Sequence, residues 1–249
     1  MSRIMAERRA TILLAPAAAG KTAHVLALAR GLAGMSGTPR VVVASHLQVR
    51  SAWRRLAETG GALGVRVQTF DQLYADCLSA AGHAYTELSD PVQYRLIRVI
   101  LEGLPLAHYR PLVNRPGFVQ LLQQLIGELK AAMVWLEQLA AAVAGPGLGD
   151  EPRLSELALI YAAYQAHLQE RHWADRAGLA WLAAQALAER TPDRGRDWPL
   201  LAVDGFDHLT PVQLEMVRIL AGRVGQTVVT LTGPGPRPGP AAGVGPPPL

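Results

Sequence analysis

The segment spanning residues 10–30 constrains the fold of this chain more than any other. An apolar run leads into the sequence Ala15-Pro16-Ala17-Ala18-Ala19-Gly20-Lys21-Thr22, and a stretch of helical character follows it. This order predicts a β-strand, a tight loop and a helix that begins near Lys21. The loop matches the pattern G-x-x-x-x-G-K-[ST] of phosphate-binding loops, with alanine in place of the first glycine.

Such a loop suits a phosphate chain, because its backbone N–H groups and the positive end of the helix dipole face the same anion. The residues expected to surround a bound nucleotide are Ala15, Ala17, Ala18, Ala19, Gly20, Lys21 and Thr22. The Lys21 ammonium would reach the β- and γ-phosphates of ATP, and the Thr22 hydroxyl would hold Mg²⁺. The alternative is a chance match in an Ala- and Gly-rich connection between a strand and a helix.

Composition narrows the fold class and the possible metal sites. Half of the 249 residues are hydrophobic but only 6% are aromatic, which favours helices packed on a sheet. The net charge of +4 comes from arginine, since the chain has only two lysines, Lys21 and Lys130. The single cysteine, Cys77, excludes an internal disulfide. No apolar stretch approaches the length of a membrane span, so we expect a soluble, cytoplasmic protein without a membrane partner.

Five apolar segments have the pattern of strands buried on both faces of a sheet. They are Ala10–Ala15, Arg40–Ser45, Val65–Thr69, Leu200–Asp204 and Thr227–Thr232. Helical patterns follow the first three strands, from Lys21 to about Met35, from Gln48 to about Thr59 and from Asp71 to about Ala81. This alternation predicts right-handed crossovers and a parallel sheet flanked by helices.

The alternation stops between residues 89 and 190, where no β-like run occurs. Amphipathic patterns there predict helices at Pro91–Leu101, Gly117–Trp135, Leu136–Ala144, Arg153–His172 and Asp175–Arg190. We therefore expect an α/β domain built from residues 1–85 and 196–232, with an all-helical insert at 86–195. Residues 233–249 are nearly all Pro, Gly, Ala and Val, which predicts a disordered tail.

Asp204 ends the apolar run 200–203, the position of an aspartate that holds Mg²⁺, partly through water, in P-loop ATPases. The alternative is an aspartate that caps the next helix. Motor ATPases of this kind usually carry a glutamate at the following position to orient the attacking water, and here it is Gly205. Asp207 is the remaining candidate for a catalytic carboxylate, although its spacing is wrong for a simple replacement. We therefore expect ATP binding with weak or absent hydrolysis.

The sequence Asp204-Gly205-Phe206-Asp207-His208-Leu209-Thr210-Pro211-Val212-Gln213 resembles the DGF…FTP.Q/E stretch of AddB-type proteins in AddAB-type helicase–nucleases, relatives of UvrD-like superfamily 1 helicases. Ser45-His46-Leu47 lies where that superfamily has motif Ia, and Val67–Leu73 resembles its motif Ib. The resemblance implies a RecA-like ATP-binding domain with a helical 1B-like insert, and it adds Gln213 to the nucleotide site. It also implies work in DNA double-strand break processing and recombinational repair.

The same resemblance implies two partners, which are single-stranded or duplex-end DNA and an AddA-like helicase–nuclease subunit. The chain departs from the family pattern, because the glutamine motif before the phosphate loop, motif III, the second RecA-like domain and the nuclease are not found. Helicase or nuclease activity of this chain alone is therefore not expected. Two alternatives stay open: a scaffold domain with a degenerate nucleotide site, and a stand-alone P-loop ATPase or nucleotide kinase.

Candidate DNA contacts lie near the segments that resemble motifs Ia and Ib. They are Ser45, His46, Arg50, Arg54, Thr69 and Phe70. Arg50 and Arg54 are four residues apart and share a helix face, from which they would contact phosphates. Phe70 could stack a base. The alternatives are a solvated basic helix face for the arginines and a place in the core for Phe70.

Overall fold

The computed structural model describes residues 10–34, 37–61, 63–82, 85–145, 151–189, 191 and 193–233. The strands are β1 (Ala10–Ala15), β2 (Arg40–Val43), β3 (Arg66–Gln68), β4 (Thr86–Glu87), β5 (Trp173–Ala174), β6 (Leu200–Phe206) and β7 (Gln226–Thr232). The helices are α1 (Lys21–Gly31), α2 (His46–Glu58), α3 (Phe70–Ala80), α4 (Asp90–Gly103), α5 (Pro116–Ala131), α6 (Leu136–Ala144), α7 (Pro152–Arg171), α8 (Arg176–Glu189) and α9 (Pro211–Ala221). The predicted α/β class is confirmed.

Five strands form one sheet in the order β1-β7-β6-β2-β3, and its four strand pairings are all parallel. In the register of β2 and β6, Val43 lies opposite Asp204. Because parallel strands end at the same edge, this edge carries the loop after β1, the start of α2 after β2, and Asp204 in β6. Chemistry-bearing residues from distant parts of the sequence therefore share one edge of the sheet.

Strand β1 differs from its prediction. It was expected to be buried on both faces, but β1 lies at the edge of the sheet, and Ile12 and Leu14 are 65% and 52% exposed. The interior strands do fit the prediction, since neighbouring residues such as Val42 and Val43 are both buried. An apolar run indicates a strand but carries no information on whether that strand is central or at an edge.

Contacts divide the described residues into two compact units. The first comprises those within 1–69, 195–208 and 220–249, and the second those within 70–194 and 209–219. In the first unit, α1 and α2 pack against one face of the sheet. The core there is formed by Val25, Leu26, Ala29, Val41, Val43, Ala52, Leu56, Val65, Val67, Leu200, Ala202 and Val228.

The second unit is almost entirely helical. Its main core brings together side chains of α4, α5 and α7, which include Ile97, Leu101, Leu122, Ile126, Ile160 and Tyr164. One detail corrects the prediction that residues 89–190 hold no strand, because β5 pairs with β4 in a two-stranded parallel ladder. Each of these strands has two residues, too few for an alternating pattern to be recognised in the sequence.

A buried ion pair links α5 to the start of α8. Lys130 and Asp175 are 1% and 3% exposed, and Lys130 Nζ donates to Asp175 Oδ2 at 2.6 Å. Asp175 also accepts from Tyr164 Oη at 2.7 Å and from the backbone N–H of Gly178 at 2.6 Å. A Cβ on Gly178 would lie 2.8 Å from Asp175 Oδ1, so glycine leaves room for the carboxylate. Burial lowers the pKa of Lys130, and the Asp175 carboxylate opposes that effect only in part.

A second carboxylate organises the segment between α4 and α5. Glu156 of α7 accepts hydrogen bonds from the backbone N–H groups of Ala107, His108 and Tyr109, at 2.7, 2.6 and 2.9 Å. Desolvation alone would raise the pKa of Glu156, but these three donors together outweigh it and hold the pKa below its ordinary value. The carboxylate thus caps a stretch of irregular backbone whose N–H groups need partners.

In the part of the chain that the structure describes, no helix combines the length and the apolar character needed to cross a membrane. The predicted tail at 233–249 lies outside the described residues except for Gly233.

Candidate nucleotide-binding site

The loop between β1 and α1 turns the chain sharply into the helix. Gly20, which precedes α1, has a φ of +85°, and Ala18 has a φ of +61°. A side chain disfavours this left-handed conformation by about 1–2 kcal/mol, so glycine suits position 20 and Ala18 stores local strain. The Ala19 N–H donates to the Pro16 carbonyl at 3.4 Å within the turn. The first N–H groups of α1 lack helical partners and can face an anion.

The Lys21 side chain folds back over the beginning of the loop. Its Nζ donates to the carbonyl oxygens of Ala15 and Pro16, at 2.7 Å each. These contacts hold the ammonium at the loop, where the sequence predicts the phosphate chain. Anionic phosphate oxygens attract an ammonium more strongly than neutral carbonyls do, so a bound phosphate can replace these partners.

Two cavities of the first unit adjoin the loop. A groove of about 600 Å³ runs between α1 and α2, and a smaller cavity of about 130 Å³ lies where β2 and β6 end. Three residues line both cavities: Thr22, Leu26 and Arg55. The smaller cavity is also lined by Asp204 and Gly205. The structure therefore brings the predicted metal ligands Thr22 and Asp204 to the walls of one small cavity.

Asp204 is held in place by a neighbouring strand. Its Oδ1 accepts a hydrogen bond from Thr230 Oγ1 of β7 at 2.5 Å, and the same hydroxyl accepts from the Gly205 N–H at 3.4 Å. Both Asp204 and Thr230 are buried. Sequence reasoning missed Thr230, although a polar residue inside the apolar run of β7 was a signal that could have found it. The hydrogen bond fixes the carboxylate and argues against a simple helix-capping role for Asp204.

These donors fit Mg²⁺ bound together with a nucleotide. Asp204 Oδ2 has no hydrogen-bond partner among the described residues, and the Thr22 hydroxyl lines the same cavity. Mg²⁺ typically takes one or two protein oxygens and completes its shell with phosphates and water. A site built from protein carboxylates alone is not found, since the described residues hold no cluster of three His, Cys, Asp or Glu.

The structure gives a physical reason for glycine at position 205. Gly205 has a φ of +81°, a conformation that side chains disfavour. A Cβ built there would lie 3.0 Å from Gln48 Nε2 and 3.3 Å from Gln48 Oε1. The position after Asp204 is therefore shaped by its backbone conformation and by Gln48, and a glutamate would need both to change.

One face of α2 contributes to the site in a way that the sequence analysis did not predict. Gln48, Ser51, Ala52 and Arg55 follow the spacing of i, i+3, i+4 and i+7, and all four line the smaller cavity. Arg55 supplies a guanidinium, the cation best suited to phosphate oxygens. The helical spacing was visible in the sequence, but without the fold it did not indicate which face points to the loop.

The candidate DNA contacts divide into two groups. Ser45 caps the N-terminus of α2 and accepts from the Gln48 N–H at 3.3 Å, while His46, Arg50 and Arg54 are exposed on the helix. The prediction for the remaining two residues is corrected. Thr69 and Phe70 are only 5% and 4% exposed, so they are packed in the interior and do not offer a surface to DNA. Phe70 packs with Tyr74, with ring centroids 5.8 Å apart, and its place in the core is the alternative that the sequence left open.

Gln213 and Asp207 also differ in their surroundings. The Gln213 Oε1 accepts from the Thr210 N–H at 2.9 Å, and the Thr210 hydroxyl accepts from the Gln213 N–H at 3.4 Å. This reciprocal capping box at the start of α9 replaces the predicted nucleotide contact, because it occupies the side-chain oxygen of Gln213. Asp207 is exposed just beyond β6.

Comparison with known proteins places the chain in a family. A family model described as "ADDB, N-terminal" matches residues 45–241. The chain is 28% identical over 235 residues to the AddB-type subunit of the ATP-dependent helicase/deoxyribonuclease of Moorella thermoacetica, and the match covers 88% of this chain. The chain spans only 20% of the length of that relative. The family match begins after the phosphate loop, so the loop is assigned on its own geometry. This chain belongs to the AddB N-terminal family.

Proposed function

We propose that this chain is the ATP-binding, RecA-like P-loop domain of an AddB-like helicase–nuclease subunit. The observation that carries the proposal is the shared small cavity of Thr22 and Asp204, next to a loop whose Gly20 and Lys21 are arranged to receive phosphates. Lys21 and the N-terminus of α1 bind the phosphates. Thr22 and Asp204 hold Mg²⁺, which neutralises the phosphate charge when it is bound. Arg55 adds a second cation beside the loop.

In this proposal the chain binds ATP and hydrolyses it weakly or not at all by itself. Gly205 supplies no carboxylate to orient a water molecule, and Asp207 is exposed beyond the strand. Cradling a triphosphate without positioning the attacking water gives binding with little turnover. The same gap favours a second candidate, a scaffold domain whose nucleotide site is degenerate and which only contacts DNA and a partner subunit.

The wider role follows from family membership. We propose that the domain works in the cytoplasm in DNA double-strand break processing and recombinational repair, together with an AddA-like subunit. Single-stranded DNA would contact the exposed start of α2, where His46, Arg50 and Arg54 lie. The name of the Moorella relative, which includes both helicase and deoxyribonuclease, supports this role. A stand-alone nucleotide kinase is disfavoured by the same membership.

A titration with a fluorescent ATP analogue and Mg²⁺ tests the nucleotide site. We expect micromolar binding, about 8 kcal/mol, by the wild type and its loss in Lys21→Ala. Lys130→Met serves as the control because it removes the other lysine, in the second unit. If the wild type and Lys21→Ala bind equally poorly, the scaffold candidate takes the place of the ATP-binding one.

Fluorescence anisotropy with single-stranded DNA at increasing salt tests the DNA contacts. Each phosphate contact contributes about 0.7 to the slope of log affinity against log salt, so Arg50→Ala and Arg54→Ala should each lower the slope by about that amount. Arg98→Ala is a matched control, an exposed helical arginine of the second unit. Equal slopes for all three variants and the wild type would remove the α2 face from the proposal.

A further inference from the structure

The Gln48 side chain is fixed at one end and open at the other. Its Oε1 accepts from the Ala44 N–H at 2.8 Å. Because a backbone N–H can only donate, this contact requires the oxygen there and turns the Nε2 amide group the other way. Nε2 lies on the Gly205 side, 3.0 Å from where a Cβ of residue 205 would stand.

The free end of Gln48 faces the smaller cavity. Gln48 lines that cavity together with Thr22, Asp204 and Arg55. No described residue accepts a hydrogen bond from Gln48 Nε2, and the side chain is half-buried. An amide donor with no protein acceptor, beside a hydroxyl, a carboxylate and a guanidinium, is suited to an anionic oxygen.

We infer that Gln48 Nε2 donates to the terminal phosphate of a bound nucleoside triphosphate and makes this domain prefer triphosphate over diphosphate. The inference rests on the proposed function, because it deepens the same site. Lys21 and the loop hold the phosphates at the N-terminus of α1, whereas Gln48 lies beyond Thr22, at the end of β6. A cavity of about 130 Å³ has the volume of about four waters, enough for one phosphoryl group.

This role differs from that of the missing glutamate. An amide N–H donates but cannot take a proton, so Gln48 strengthens binding of the terminal phosphate without acting as a general base. Gly205 is part of the arrangement, since any side chain there would press on the Gln48 amide. The pair of Gln48 and Gly205 thus recognises a triphosphate at the place where a hydrolytic enzyme would activate water.

Calorimetric titration of the whole chain with Mg²⁺ and either ADP or a non-hydrolysable ATP analogue tests the inference. Gln48→Glu is the decisive variant, because it keeps an oxygen for the Ala44 N–H and replaces the donor with an anion. We expect triphosphate affinity to fall at least about tenfold in Gln48→Glu and in Gln48→Ala, the loss expected for one hydrogen bond to a charged group. ADP affinity should stay within about twofold, a smaller change than removal of such a bond produces.

Gln124→Ala is the matched control, a glutamine of α5 whose amide bonds only Glu128 among the contacts of the described chain. Equal losses for ADP and triphosphate would overturn the inference, since they would indicate general damage to α2. Unchanged triphosphate affinity in Gln48→Glu would overturn it as well. A wild type that binds neither nucleotide would instead remove the proposed function itself, which separates the two failures.

Discussion

Replacing Asp175 with asparagine separates the charge of the buried ion pair from its hydrogen bonds. Asparagine keeps an oxygen for the Gly178 N–H and for Tyr164 Oη, but it leaves the Lys130 ammonium buried without a counter-ion. Removing one partner of a buried pair typically costs about 3–5 kcal/mol. We therefore expect Asp175→Asn to lower the free energy of unfolding by about that amount at pH 7.

The pH dependence makes this prediction specific. A buried lysine without a partner can escape the cost by losing its proton, and its ordinary pKa is about 10.4. At about 1.36 kcal/mol per pH unit, neutralisation limits the cost to about 4.6 kcal/mol at pH 7 and to about 1.9 kcal/mol at pH 9.

The sign follows from proton binding. The folded-state pKa of Lys130 is lowered, so between the two pKa values the unfolded chain binds more protons, and stability rises with pH. Asparagine removes the opposing carboxylate, so the variant should gain more stability from pH 7 to pH 9 than the wild type does.

Urea unfolding followed by circular dichroism at pH 7 and pH 9 measures both effects. Adding Lys130→Met to Asp175→Asn removes the buried ammonium, and this double variant should recover much of the lost stability and lose the extra pH dependence. The reasoning is refuted if Asp175→Asn costs the same at both pH values, or if Lys130→Met leaves its pH dependence unchanged.

Three further predictions concern single contacts, each followed by urea unfolding unless stated otherwise. Glu156→Gln should cost about 1–3 kcal/mol at pH 7, because it removes a charged acceptor of three backbone N–H groups. The wild-type contribution is present above the ordinary carboxyl pKa and is lost as pH falls through the lowered folded-state pKa, so the two proteins should converge in acid. Gly205→Glu should cost about 1–2 kcal/mol from its positive φ alone and should not create ATPase activity in a phosphate-release assay, because Gln48 crowds the new side chain. Thr230→Val should cost about 1–3 kcal/mol by removing the donor to Asp204, and it should also weaken Mg²⁺-dependent ATP binding in a calorimetric titration.

Each of these has a clear contradiction. A Glu156→Gln variant that stays equally less stable at pH 7 and in acid would mean that its charge has no part in the effect. Measurable turnover by Gly205→Glu would mean that Gln48 moves aside easily. Normal ATP binding by Thr230→Val would mean that Asp204 does not need its fixed orientation.

Local patterns predicted the elements of the fold well. The loop between β1 and α1 and the helix starts at Pro116 and Leu136 follow from residues adjacent in sequence, such as Gly20 before a helix and proline in its first turn. The exposed β1 could not be predicted, because edge position depends on which strands pair. Phe70 and Thr69 were misassigned for a similar reason, since a motif position does not specify burial.

The site was predictable only where one segment defines it. Lys21 and Thr22 belong to a single loop, and Asp204 ends a single strand, so each could be named from its own surroundings. Thr230 and Arg55 reach the site through the pairing of β6 with β7 and through the orientation of α2. The contact between Gln48 and Gly205 joins residues distant in the sequence, and only the register of β2 with β6 brings them together.

The most direct test of the proposed site is a calorimetric titration of the purified chain with ATP, in Mg²⁺ and in EDTA, for the wild type and Asp204→Asn. We expect micromolar binding by the wild type in Mg²⁺, about 8 kcal/mol, and clearly weaker binding in EDTA. In Asp204→Asn the effect of Mg²⁺ should largely vanish. Wild-type affinity that is the same with and without Mg²⁺, or no binding at all, would contradict the claim that the loop and Asp204 form one Mg²⁺–nucleotide site.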